Sequence, residues 1–194
     1  MARNVLIASL TCSLLLVTRA PTQAAEESKA ATPPVVGDKA PDFTLNDLKG
    51  SQVSLGEQLK RGSVVIVVLR GYPGYQCPIC TRQFGELVGK VKEFTDAKAS
   101  VMFIYPGPAT DLDKYAKEFI GKKTFPTSFQ FLIDPDFKFT ELYRLRWDAP
   151  KETAYPASFV VDADGAIRFA KVSHSHGDRA SSDELLGALG KISK

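Results

Sequence analysis

Two cysteines separated by two residues, Cys77-Pro78-Ile79-Cys80, lie between a segment typical of a buried strand and a segment typical of a helix. The strand segment, residues 63–69, reads Ser-Val-Val-Ile-Val-Val-Leu. The helix segment carries apolar residues at helical spacing, at Phe84, Leu87, Val88, Val91 and Phe94. A dithiol that opens a helix after a central strand predicts a redox site at the carboxyl edge of a sheet. A structural disulfide is the alternative, but such bridges usually close longer loops.

The amino terminus has the pattern of an export signal. A short start with Arg3 precedes an uncharged apolar run, residues 5–17, and small residues follow up to a cleavage site near residue 24. Because a span across a bilayer needs about 20 residues, we expect cleavage rather than an uncleaved anchor. Cys12 would be removed with the signal. We therefore predict a signal peptide over residues 1–24 and a periplasmic or secreted protein.

The rest of the chain is sufficient for one domain. Residues 25–36 are rich in Ala, Glu, Thr and Pro, which predicts a disordered leader. Residues 37–194 are enough to bury a hydrophobic core without stabilising cross-links. The formal net charge is only +3, and lysines and arginines are scattered among acidic residues. Since there is no basic stripe and no glycine-rich phosphate loop, we expect no nucleic-acid partner and no bound cofactor.

Strand and helix patterns alternate along this domain. Strand patterns occupy residues 40–45, 63–69, 101–105, 129–133, 158–161 and 167–172, and helix patterns occupy residues 78–95, 111–121, 137–145 and 183–192. Ser181 and Glu184 form a capping-box pattern ahead of the last helix. The order predicts an α/β, thioredoxin-like fold: a mixed central β-sheet flanked by helices, with an N-terminal β-hairpin extension.

Three segments of the chain carry recognisable motifs. Residues 38–45 read Asp-Lys-Ala-Pro-Asp-Phe-Thr-Leu, residues 73–80 read Pro-Gly-Tyr-Gln-Cys-Pro-Ile-Cys, and residues 155–162 read Tyr-Pro-Ala-Ser-Phe-Val-Val-Asp. They resemble, in this order, the opening strand, the active-site signature and a later strand of the peroxiredoxin-like (AhpC/TSA, redoxin) family of the thioredoxin superfamily. The signature is proline, three residues, Thr or Ser, two residues and the peroxidatic cysteine. Pro73 and Cys80 match it, but Cys77 occupies the hydroxyl position, and Pro156 stands in place of the arginine of the later strand.

The resemblance spans about residues 36–192 and implies a thiol-dependent oxidoreductase. Pro156 is also similar to the cis-proline of thioredoxin and of TlpA-like disulfide reductases. That similarity implies a cis Tyr155–Pro156 bond that presents the backbone of Tyr155 to an extended substrate segment. An ordinary turn before an edge strand is the alternative.

The two departures from the family pattern favour disulfide exchange. In the family, the hydroxyl and the arginine hold the peroxide oxygens and lower the thiol pKa, and Cys80 would lack such donors. Cys77 is placed as a helix N-cap with Pro78 as the first helical residue, so its sulfur can accept N–H groups from Ile79 and Cys80. We expect Cys77 to be the nucleophile and the more buried Cys80 to resolve the mixed disulfide.

Other candidate residues have two interpretations each. Arg70 either lies near the thiols and lowers their pKa or is a solvated charge at a strand end. His174 and His176 form either a metal pair or part of a polar loop with Asp178 and Arg179. Trp147, in an insertion at residues 144–154, either packs in the core or contacts substrate.

The sequence thus predicts an exported thiol–disulfide oxidoreductase. Its catalytic residues are Cys77, Cys80 and Pro156, and its substrate-binding residues are Tyr155, Pro73 and Arg70. The partners are a protein disulfide or hydroperoxide and a thiol electron donor, with no resident metal and with membrane contact only through an uncleaved signal. The alternatives are an atypical thiol peroxidase, which attacks through Cys80 and closes onto Cys77, and a metal (copper) carrier.

Overall fold

The computed structural model describes Met1 and residues 32–192. The chain divides into two units, residues 1–31 and residues 32–194, and the fold concerns the second. The predicted signal peptide and most of the predicted leader therefore lie outside the described residues. Within the described part, no helix combines the length and apolar character needed to cross a membrane.

A seven-stranded mixed sheet forms the centre of the domain. Its strands are β1 (Thr44–Asp47), β2 (Gln52–Ser54), β3 (Ser63–Val68), β4 (Ala99–Gly107), β5 (Phe129–Pro135), β6 (Ala157–Val161) and β7 (Ile167–Val172). They lie in the order β2-β1-β5-β4-β3-β6-β7. Strands β3, β4 and β5 are parallel, whereas β6 and β7 at one edge and the β1–β2 hairpin at the other are antiparallel. The predicted thioredoxin-like fold with an N-terminal hairpin is confirmed.

Within residues 32–192, six helices flank the sheet. They are α1 (Leu55–Leu59), α2 (Pro78–Gly89), α3 (Val91–Asp96), α4 (Leu112–Ile120), α5 (Lys138–Leu142) and α6 (Ser182–Ile192). Apolar residues of α2, α3, α4 and α6 share one core cluster, and those of α1 and α5 share the cluster on the other face. The predicted helix over 78–95 is broken at Lys90, whose backbone is not helical (φ −106°, ψ 19°). The five-residue α1 escaped prediction because it is too short to show a periodic pattern.

Strand β3 explains why both faces of the sheet are covered. Val65 and Val67 pack in the cluster that contains both cysteines, while Val64, Ile66 and Val68 pack in the opposite cluster. All five are fully buried, as expected for a central strand with layers on both sides.

The chain turns sharply where β3 leads into the CxxC loop. Gly71 has φ +70°, and a Cβ built on it would lie 1.7 Å from the carbonyl oxygen of Pro106 at the end of β4. Only glycine fits this close approach. Residues 72–77 therefore leave the sheet beside the end of β4, which places the start of α2 at the carboxyl edge of the sheet.

Candidate active site

Cys77 and Cys80 open helix α2 as the sequence predicts. Cys77 is the N-cap, with an extended backbone (φ −76°, ψ 114°), and Pro78 is the first helical residue. The backbone N–H of Cys80 donates to Cys77 Sγ at 3.4 Å. Both cysteines are free thiols and buried, with Cys77 3% and Cys80 1% exposed.

The two thiols differ strongly in acidity. The pKa of Cys77 is lowered to about 5, and the largest cause is a hydrogen bond from the Cys80 thiol. Burial of Cys77 opposes this lowering. The backbone N–H groups of Cys80 and Ile79 and the charge of Arg179 lower the pKa further. Burial, followed by the hydrogen bond to Cys77, raises the pKa of Cys80. At neutral pH Cys77 is therefore a thiolate and Cys80 a thiol, which suits attack by Cys77 and resolution by Cys80.

Arg179, in the loop between β7 and α6, is a site residue that sequence reasoning assigned only to a polar loop. One terminal nitrogen of its guanidinium lies 3.8 Å from Cys77 Sγ, and the other donates to Gln83 Oε1 at 3.3 Å. Its Nε donates to the carbonyl oxygen of His176 at 3.1 Å. Its side-chain partners are thus two neutral oxygens and the sulfur, so its charge acts on the Cys77 thiolate. No local pattern indicates a contact between residues 102 positions apart.

Arg70 is near the thiols, and its interpretation as a solvated strand-end charge is wrong. The residue is 1% exposed, and its backbone N–H donates to Cys80 Sγ at 3.4 Å. Its guanidinium, however, donates to Glu152 Oε2 at 2.5 Å, to the hydroxyl of Tyr75 at 2.6 Å and to the carbonyl of Lys151 at 2.6 Å. Because its charge is paired with Glu152, the cation that acts on Cys77 is Arg179 instead.

The expected cis-proline is wrong, since no peptide bond among the described residues is cis. The Tyr155–Pro156 bond is trans and Pro156 is buried. The N–H of Tyr155 donates to the carbonyl of Leu145 at 2.8 Å, and the carbonyl of Pro156 accepts the N–H of Ser173 at 2.8 Å. Because the N–H of Tyr155 is used within the protein, the predicted pairing with a substrate segment lacks its donor.

Aromatic residues surround this segment. Trp147 stacks on Tyr155, with ring centroids 4.7 Å apart, and lies 5.3 Å from the ring of His176. The ring centroids of His174 and Tyr155 are 5.1 Å apart, and His176 Nε2 lies 3.0 Å from Glu152 Oε1. The two histidines therefore have separate partners. Within residues 32–192, no group of three or more His, Cys, Asp or Glu side chains is arranged to hold a metal ion.

The loop before the cysteines is held by hydrogen bonds of Gln76. Tyr105 donates to Gln76 Oε1 at 2.9 Å, and Gln76 Nε2 donates to the carbonyl of Tyr115 at 2.9 Å. Pro73, the predicted signature proline, is half-buried in this loop, and Tyr75 is exposed. Through the hydrogen bonds of Gln76, the loop before α2 is attached to the end of β4 and to α4.

Comparisons with known proteins show the family of the chain. The AhpC/TSA family model matches residues 36–170. A putative peroxiredoxin of Mycobacterium tuberculosis is 33% identical over 140 residues, 70% of this chain and 83% of that protein. Peroxiredoxin Bcp of Escherichia coli is 30% identical over 150 residues, 72% of this chain and 89% of that protein. The crystal structure of peroxidoxin BcpB from Mycobacterium tuberculosis superposes with a TM-score of 0.63 at 24% identity, covering 81% of this chain and 97% of that one.

Proposed function

Because the chain belongs to the AhpC/TSA family and is a thiol-dependent oxidoreductase, we propose that it reduces hydroperoxides, with Cys77 as the attacking thiolate and Cys80 as the resolving thiol. The observation that carries this proposal is the guanidinium of Arg179 at 3.8 Å from Cys77 Sγ, at the N-terminus of α2. A cation and a helix N-terminus both stabilise the thiolate, and both can stabilise charge that develops on a leaving oxygen.

The proposed reaction has two steps on the protein. The Cys77 thiolate attacks the terminal oxygen of the hydroperoxide, the O–O bond breaks, and the leaving oxygen takes up a proton to become an alcohol or water. Cys77 is then a sulfenic acid. The Cys80 sulfur attacks it, water leaves, and a Cys77–Cys80 disulfide forms. An external thiol reductant returns two electrons and two protons to complete the cycle.

This assignment exchanges the roles that the family signature implies for the two cysteines. The sequence-based peroxidase alternative placed the attack on Cys80, but the Cys80 thiol is buried and its pKa is raised. The sequence also indicated that a peroxidase would lack the family's arginine, because Pro156 occupies that position. Arg179 supports the peroxidase proposal by supplying a guanidinium from a different loop.

Protein disulfide exchange is the second candidate. It is favoured by the Cys-Pro-Ile-Cys N-cap, since the same low-pKa thiolate would also attack a disulfide. Two observations favour the peroxide. Cys77 is 3% exposed, which suits a small oxidant better than a folded chain, and the N–H of Tyr155 is engaged with Leu145.

Stopped-flow oxidation of the reduced protein by hydrogen peroxide, by cumene hydroperoxide and by a scrambled protein disulfide separates these candidates. We expect a hydroperoxide to react faster than the protein disulfide. Cys77→Ser should abolish the reaction. Cys80→Ser should keep the first oxidation, accumulate a sulfenic acid that dimedone traps, and stop turnover.

Two outcomes would contradict the proposal. Faster oxidation by the protein disulfide would favour the exchange function. Retention of the first oxidation in Cys77→Ser, with its loss in Cys80→Ser, would assign the attack to Cys80.

A further inference from the structure

Glu152 joins two parts of the site that are distant in sequence. Its Oε2 accepts from Nε of Arg70, at the end of β3, and its Oε1 lies 3.0 Å from Nε2 of His176, in the loop between β7 and α6. The Glu152 side chain is only 11% exposed. A carboxylate with one oxygen on each partner fixes the position of the loop relative to the sheet.

The loop that Glu152 holds carries Arg179. The carbonyl oxygen of His176 accepts from Nε of Arg179, and a terminal nitrogen of the same guanidinium reaches Cys77 Sγ. On its other side the loop is held by Gln83, which donates to the carbonyl of Ala180 at 3.0 Å and accepts from Arg179. The guanidinium is therefore held between Gln83, on α2, and the main chain of His176.

The ion pair with Arg70 alone does not account for the placement of Glu152. The Arg70 guanidinium donates to three acceptors: the Tyr75 hydroxyl, the Lys151 carbonyl and Glu152 Oε2. It therefore uses only one oxygen of the Glu152 carboxylate. Oε1 remains for His176. Burial opposes ionisation of Glu152, but hydrogen bonds and charges from Arg70 and His176 outweigh it and lower its pKa. Glu152 is thus a carboxylate at neutral pH, able to hold both partners.

We propose that Glu152 is a positioning residue of the redox reaction: its carboxylate holds His176, and the main chain of His176 holds the Arg179 guanidinium against Cys77 Sγ. Glu152 does not touch the sulfur and acts through Arg179. The consequence for turnover rests on the proposed peroxidase function, whereas the consequence for the Cys77 thiol does not.

The test is the titration of Cys77, followed by the pH dependence of its alkylation in the reduced full-length protein. We expect His176→Ala to raise the titration midpoint by about one unit, a tenfold change in the acid dissociation constant. Glu152→Gln should raise it less, because that substitution also releases the charge of Arg70 from its ion pair. His174→Ala is the matched control, because His174 lies on the same loop and contacts Tyr155 rather than Glu152. It should leave the midpoint unchanged.

The decisive arm repeats His176→Ala in an Arg179→Ala background. If Glu152 and His176 act through Arg179, the second substitution adds no further shift, whereas a general structural effect would persist. Unchanged midpoints in both single variants, or a shift that survives without Arg179, would overturn the proposal. His176→Ala leaves the Arg70–Glu152 pair in place, so the test holds even if Glu152→Gln fails to fold. Because the titration of Cys77 uses no oxidant, its result can be interpreted even if the peroxidase assignment is wrong.

Discussion

Two identical side chains, Cys77 and Cys80, have opposite acid–base behaviour because of their positions on one helical turn. Cys77 caps the helix and accepts hydrogen bonds, whereas Cys80 lies inside the first turn and donates one. A thiol that accepts hydrogen bonds gains from ionisation, and a buried thiol that donates one loses from it. The division of roles between attack and resolution follows from this difference.

Substitutions of Cys80 test this coupling at the residue scale. Cys80→Ala should raise the pKa of Cys77 above its value of about 5, because the Cys80 thiol is the largest cause of the lowering. Cys80→Ser keeps a hydroxyl donor and should raise it less. The measurement is the pH profile of iodoacetamide labelling at Cys77, read by mass spectrometry. Equal midpoints in the two variants would show that the donor at residue 80 is not the cause.

At the scale of elements, the site depends on helices α2 and α6. Helix α2 presents its N-terminus to Cys77, and α6 begins directly after the loop that carries Arg179. The predicted capping box at the start of α6 is confirmed: the N–H of Glu184 donates to Ser181 Oγ at 3.2 Å, and the N–H of Ser181 donates to Glu184 Oε2 at 2.8 Å. The cap fixes where the loop ends and the helix begins.

Two substitutions in and beside α6 should change stability in opposite directions. Ser181→Ala removes the capping acceptor and should lower the free energy of unfolding by about 1 kcal/mol. Gly187→Ala should raise it by roughly 0.5–1 kcal/mol, because the glycine is helical and exposed. A Cβ there would meet no atom within 4 Å. Urea unfolding of the reduced protein measures both effects; changes of the same sign would contradict this view of α6.

At the scale of the whole molecule, the sheet brings three distant segments to one edge. Arg70 and Cys77 lie in the loop that follows β3, Glu152 precedes β6, and Arg179 follows β7. Strands β3 and β6 are neighbours and β7 lies next to β6, so their ends meet beside α2. The charges of the site therefore exist as a group only when the sheet is complete, which couples thiol acidity to folding.

This coupling predicts a pH-dependent stability for the reduced protein. The folded-state pKa of Cys77, about 5, lies below the value of 9.0 for a free thiol. Between these pH values the unfolded chain binds more protons than the folded one, so the free energy of unfolding should rise with pH and fall again as pH drops towards 5. The raised pKa of Cys80 lowers the free energy of unfolding only at pH above the free-thiol value, so it does not oppose the rise within this window.

The measurement is urea unfolding of the reduced protein at a series of pH values across that window. Cys77→Ser is the control, since it removes the titrating group and should flatten the profile. Parallel profiles for the wild-type protein and Cys77→Ser would contradict a low pKa of Cys77.

The sequence by itself determined what depends on neighbours along the chain. The apolar run at residues 63–69 placed the central strand, the Cys77-Pro78 pair placed the N-cap, and the Ser181–Glu184 pair placed the last helix start, because burial alternation and capping act within a few residues. The export signal over residues 1–24 stays a prediction.

Only the tertiary structure decided which charges face the thiols. Arg70 and Glu152 are 82 positions apart, and Arg179 and Cys77 are 102 apart, so their contacts depend on strand order rather than on local pattern. The trans bond at Pro156 likewise belongs to a segment whose flanking backbone groups pair with Leu145 and Ser173. Local sequence thus set the position of the dithiol, and long-range packing set the electrostatic field in which it reacts.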